Sequence, residues 1–172
     1  MYQTLFQKNI LVFGCGNPLF GDDGFGPAVI AHLEKHHTIP ENCEIMDAGT
    51  SIRDILFDML LLPDHPEKII IVDAVNFEGH KAGEIFEIDV NDIPRNKTSD
   101  FSLHQFPTTN MLRELNEGTD IDVRVFVVQT QPLPNEVAPG LSIAVEQAIS
   151  NMCDKILTTI AGKQRGKKHV RV

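Results

Sequence analysis

The segment GCGNPLFGDDGFG, Gly14 to Gly26, sets two adjacent acids, Asp22 and Asp23, in a loop with five glycines. Glycines let the backbone turn sharply and approach a partner closely. A glycine-rich loop between a strand and a helix first suggests phosphate binding. Yet no GKS or GKT follows, and Leu19 stands where a dinucleotide fingerprint requires its third glycine. The two carboxylates also occupy the place of the anion, and like charges about 4 Å apart repel by several kcal/mol near a protein surface. A cation or a neutral polar substrate fits better. Helix capping would account for one of these acids. Two in succession exceed what a cap needs, so at least one is expected to be functional.

Three further residues join them. Asp73 follows the apolar run KIIIV, where an unpaired carboxylate is costly and a metal or an ion pair relieves the cost. Asp47, in DAGTS, is read equally as an Asx turn or as a functional acid. His104, in SLHQFP, is by itself an ordinary loop histidine. Taken together, Asp23, Asp73 and His104 offer two carboxylates and one imidazole from three loops. That donor set suits a borderline divalent ion such as zinc or nickel with positions left open, and it is too sparse for a structural site. His32, His36 and His37 lack a surrounding HExxH and are expected to form the polar face of a helix. Cys15, Cys43 and Cys153 are odd in number and contain no CxxC, which excludes a zinc ribbon or dithiol site and fits a reducing compartment. Cys15 reads as a small buried thiol, because a nucleophile needs an adjacent base.

The elements that must position these residues alternate between strand and helix. Strands are expected at Asn9–Phe13, Cys43–Met46, Lys68–Val72 and Asp122–Val128, with an added one within Gly83–Val90. Helices are expected at Phe25–His36, Ile52–Leu62, Thr108–Leu115 and Ser142–Ile160, the last with Ile143, Val145, Ala148, Ile149, Met152, Ile156 and Leu157 available for burial. This order predicts an α/β three-layer sandwich, a twisted and mostly parallel sheet flanked by helices. Sites in such sheets gather beyond the carboxyl ends of the strands.

The chain has 172 residues, enough for one domain, and its 42% hydrophobic and 23% charged content excludes a disordered polymer. A single domain is expected over residues 1–161, with a basic, flexible tail at 162–172. That tail holds Lys163, Arg165, Lys167, Lys168 and Arg171 and no acid. Residues 1–161 therefore carry a net charge of −14, which repels phosphate backbones and argues against a nucleic-acid partner. No apolar run is long enough to cross a membrane. With no signal peptide legible at the N-terminus, the expected location is the cytoplasm.

GCGNPLFGDDGFGPAV, DAGTS, IIIVDAVNFEGHKAGEIFEID and SLHQFPTTNML, in that order and spacing, resemble the maturation endopeptidases of nickel–iron hydrogenases. The resemblance runs from Ile10 to about Ala148. It implies an endopeptidase that removes the C-terminal extension of a hydrogenase large-subunit precursor after nickel insertion. It also implies that Asp23, Asp73 and His104 contact the metal, and that Asp47 assists the reaction or the substrate contact. Nickel would arrive with the substrate, and other divalent ions would substitute. The expected partner is one large-subunit precursor, and the protein itself is expected to be a monomer or weak oligomer. Two rival readings stand beside this one. Peptidyl-tRNA hydrolase shares a GNP turn, here Gly16-Asn17-Pro18, but would place a histidine where Asp22 and Asp23 stand. A non-catalytic, metal-binding assembly factor would bind the precursor without shortening it.

Overall fold

Strand β1 (Ile10–Cys15) is fully buried, and its side chains feed both faces of a five-stranded sheet. The computed structural model describes residues 5–92 and 109–163. The chain runs β1, α1 (Phe25–His36), β2 (Cys43–Gly49), α2 (Ile52–Leu60), β3 (Lys68–Val75), β4 (Ile85–Ile88), α3 (Thr109–Gly118), β5 (Asp122–Gln129), α4 (Ile143–Gln147) and α5 (Ile149–Ala161). The strand order is β2-β1-β3-β5-β4, all parallel except the added edge strand β4, which runs antiparallel to β5. This is the single-domain, mostly parallel α/β fold expected from the alternating pattern.

Period-two alternation splits the buried strands between two cores. Leu11, Phe13, Ile69, Ile71, Val125 and Val127 pack against Ile55, Leu56 and Met59 of α2 and Leu112 and Leu115 of α3. Val12, Ile70, Val72, Phe126 and Val128 pack on the other face against Val29, Ile30 and Leu33 of α1 and Met152, Cys153 and Ile156 of α5. Strands buried on both faces read as continuous apolar runs, which is why β3 was conspicuous in the sequence.

Three expectations need correction. The strands run past the first polar residue: β3 continues through Asp73 to Val75, and β2 through Asp47 to Gly49. Parallel pairing of Asp73 with Val127 and of Val75 with Gln129 carries the ladder on, because backbone bonds do not depend on side-chain polarity. The expected helix Ser142–Ile160 is two helices, broken at Ala148. Ile143, expected to be available for burial, lies on the first of these and is 75% exposed. His104 and most of the loop around it lie outside the described residues, as does most of the basic tail.

Candidate active site at the carboxyl ends of the strands

The chain leaves β1 toward β2 on one side and later returns to β3 on the other. The sheet therefore has its switch point between β1 and β3, where crossovers part and leave a crevice. Asp23 follows β1, and Asp73 lies near the carboxyl end of β3. Both lie at that switch point.

The glycine loop folds tightly enough to bring Asp23 inward. Gly16 has φ +128°, and a Cβ there would lie 1.8 Å from the Asp23 carbonyl oxygen. A Cβ on Gly26 would lie 2.3 Å from the Cys15 carbonyl oxygen and 2.6 Å from that of Val72, so the first turn of α1 rests directly on β1 and β3. Gly21–Gly24 forms a single 3-10 turn leading into α1. Asp23 is fully buried, and its Oδ2 accepts the Asn17 N–H at 2.8 Å. Asp22 turns the other way. Its Oδ1 accepts the Ser142 N–H at 2.6 Å, and its Oδ2 accepts the Ser142 hydroxyl at 2.9 Å, which ties the loop to the start of α4. The adjacent acids thus have different duties: one anchors the loop, and the other turns inward toward Asp73.

Asp73 is 3% exposed, and its Oδ1 accepts the Ala74 N–H at 2.8 Å. Burial holds its carboxyl well above the usual carboxylate range; the Ala74 hydrogen bond opposes that, and the neighbouring Asp23 carboxylate adds to it. Cys15 sits among the same charges. Burial pushes its thiol up, and Asp73, Asp47 and Asp23 all add in the same direction. It stays a thiol rather than a nucleophilic thiolate. Asp47 is exposed on β2, where its Oδ1 accepts the Gly49 N–H at 2.9 Å, the Asx turn weighed from sequence. The Gly49 carbonyl in turn accepts the Gly16 N–H at 2.9 Å, linking that turn to the glycine loop.

The structure therefore brings Asp23 and Asp73 together and sets Asp47 at the rim; His104 lies outside the described residues. Two contributors were missed in the sequence. Ser142 had no local signal, since its partner Asp22 is 120 residues away. Gln129 ends β5 buried; its Oε1 accepts the Phe77 N–H at 3.0 Å, and its Nε2 donates to Asn76 Oδ1 at 3.0 Å, holding the chain after β3. A buried amide ending an apolar strand was the available clue. Chemically, two buried acids at close quarters favour sharing a proton or binding a cation, and either arrangement suits acid–base work on a polar substrate.

Comparison with known proteins agrees with this fold. The profile of the hydrogenase maturation proteases (HycI) matches residues 27–159. A protein of Methanocaldococcus jannaschii whose name assigns it to the hydrogenase maturation proteases is 39% identical over 155 residues, covering 90% of this chain and 97% of that one. The hydrogenase 2 maturation protease of Escherichia coli is 27% identical, covering 88% and 90% respectively. Among solved structures, the hydrogenase maturating endopeptidase HybD from E. coli superposes with a TM-score of 0.70 at 27% identity, covering 89% of this chain and 92% of that one. With its fold, its family profile and its relatives in agreement, the chain belongs to the hydrogenase maturation protease family.

Proposed function

We propose that this protein is a cytoplasmic endopeptidase that removes the C-terminal extension of a nickel–iron hydrogenase large-subunit precursor once nickel is in place. The observation that carries the reading is the buried Asp23–Asp73 pair at the switch point of a maturation-protease fold. Nickel enters this reading as part of the substrate. Two carboxylates from separate elements, joined by His104, would add ligands to an ion that the precursor presents. Burial disfavours the ionised form of Asp73, and a dication beside the pair would favour it, so the site would respond to whether the metal has been loaded. A carboxylate relieved of its proton then accepts one from a water attacking the scissile carbonyl, and the departing amine takes that proton up. The ion polarises the same carbonyl. Asp47, exposed on the rim, would meet the peptide as it enters.

The test is incubation with nickel-loaded and nickel-free precursor. Wild-type protein should shorten only the loaded form, and Asp23→Asn and Asp73→Asn should shorten neither. Equal cleavage of the nickel-free form would remove metal recognition from the reading. Wild-type rates in both variants would remove the acids. A stable complex with no shortening would favour a binding factor.

A further inference from the structure

Helix α1 leaves the candidate active site at Phe25 and ends at His36; its 12 residues make about 18 Å of helix. Its last turns therefore stand toward the opposite end of the sheet. There His32 of α1, His37 just beyond it and the buried Cys153 of α5 each bring one ligand atom within 4.8 Å of the others. We propose that these three residues form a second metal site, separate from the processing site, that takes a borderline divalent transition ion of the zinc type.

The donor set chooses the ion. Two imidazole nitrogens and a thiolate suit zinc-like ions, and the absence of a carboxylate from the set disfavours magnesium and calcium. Bonds of roughly 2.0–2.1 Å to nitrogen and 2.3 Å to sulfur place tetrahedral donors about 3.3–3.6 Å apart. Donors already within 4.8 Å have only about 1 Å to close, and two half-buried imidazoles can turn to supply it. The sulfur is the fixed corner: Cys153 is fully buried, with Sγ 3.9 Å from the Val29 carbonyl oxygen. The imidazoles are the adjustable corners, with ring centroids 6.0 Å apart. Partial burial and the neighbouring His36, His37 and Lys35 lower the pKa of His32, favouring the neutral ring that ligates. Burial, with Asp154 adding, pushes the Cys153 thiol up to about 11, so coordination forms the metal–sulfur bond and releases the thiol proton to water. Three protein ligands leave one position for water, the pattern of an exchangeable ion rather than a closed structural one. Such an ion would pin the end of α1 to α5, two helices that share a core face. The sequence concealed the site because its sulfur lies more than a hundred residues from its histidines.

Cobalt(II), a spectroscopic stand-in for zinc, tests this on the full chain. The wild type should show a thiolate-to-cobalt charge-transfer absorption that saturates at one equivalent and that added zinc abolishes. Cys153→Ala should lose that absorption. Cys15→Ala and Asp73→Asn should keep it, which separates this site from the processing site whether or not the latter works as proposed. His37→Gln, at a half-buried position beyond the helix, should weaken cobalt binding by at least about tenfold, the scale of losing even a residue that merely supports a ligand. Circular dichroism reports whether each variant is folded. Absence of the thiolate absorption in the wild type, its persistence in Cys153→Ala, or its loss in Asp73→Asn would each overturn the proposal.

Discussion

Strand β3 opens with Lys68, whose buried ammonium donates to the Thr159 and Gly162 carbonyls at 2.9 and 3.5 Å and lies 4.0 Å from Asp122. Further along the same strand stands Asp73, equally buried, with the Asp23 carboxylate as a like-charged neighbour. At the amino end a cation meets an anion and the negative end of α5, so the buried charge is compensated inside the fold. At the carboxyl end acid meets acid, an arrangement that a shared proton or a bound cation would relieve. One strand thus joins a region arranged for stability to a region arranged for chemistry. Only the first should weaken when its charge is removed.

The largest break in this contrast should come from Asp73→Asn. Loss of acid–base function lowers processing by about 10²–10⁴-fold, while the fold should persist because the amide keeps a similar shape. Stability should separate the two chains in a definite direction. Folded Asp73 keeps its proton to higher pH than unfolded Asp73, so between the ordinary carboxylate range and the raised value the folded state binds more protons. Wild-type stability therefore falls as pH rises through that window, and Asp73→Asn is spared the loss. Thermal midpoints measured across pH should drift in the variant's favour as pH rises. A constant difference would mean that Asp73 titrates normally.

Gly16→Ala attacks the same end through the backbone. The new Cβ would meet the Asp23 carbonyl at 1.8 Å, from a φ of +128° that alanine rarely adopts. The strain is about 1–3 kcal/mol, and a displacement of Asp23 of about 1 Å costs on the order of 10²-fold in rate. Wild-type processing by this variant would show that the loop's position does not matter. Lys68→Met makes the reverse statement at the other end. Removing the cation should lower stability by about 2–3 kcal/mol in chemical denaturation and leave processing by the folded fraction unchanged. A processing defect without a stability defect would undo the division of labour.

The sequence reading succeeded where the physics is local. Helix α1 was legible to the residue, since apolar spacing and the glycine loop mark its face and its start. Asp73 stood out because a carboxylate beside KIIIV is costly to bury, and buried it is. What escaped needed contacts across the chain. Asp73 was expected after β3 and sits within it, because pairing with Val127 decides the boundary. Asp22 was expected to share a cap or a site with Asp23, yet its partner is Ser142. His32 and His37 were expected on a polar face; they are half-buried, and that they also lie within 4.8 Å of the Cys153 sulfur could not be read from spacing. In each case a residue type was informative and its partner was invisible until the helices packed.

The smallest expected effect tests the support of the acidic end rather than its chemistry. Ser142→Ala removes the hydroxyl that donates to Asp22 at 2.9 Å but keeps the backbone N–H that donates at 2.6 Å. Loss of one hydrogen bond to a carboxylate should cost about 1–2 kcal/mol. With the second bond retained, the glycine loop should stay close to its place. Processing should then fall by less than the roughly 10²-fold that an ångström-scale displacement costs. Asp22 would be confirmed as an anchor if the rate dropped only a few-fold and the thermal midpoint moved with it. If Ser142→Ala silenced processing as fully as Asp73→Asn, with stability intact, Asp22 would instead belong among the reacting groups, and the split between the adjacent acids would have to be redrawn.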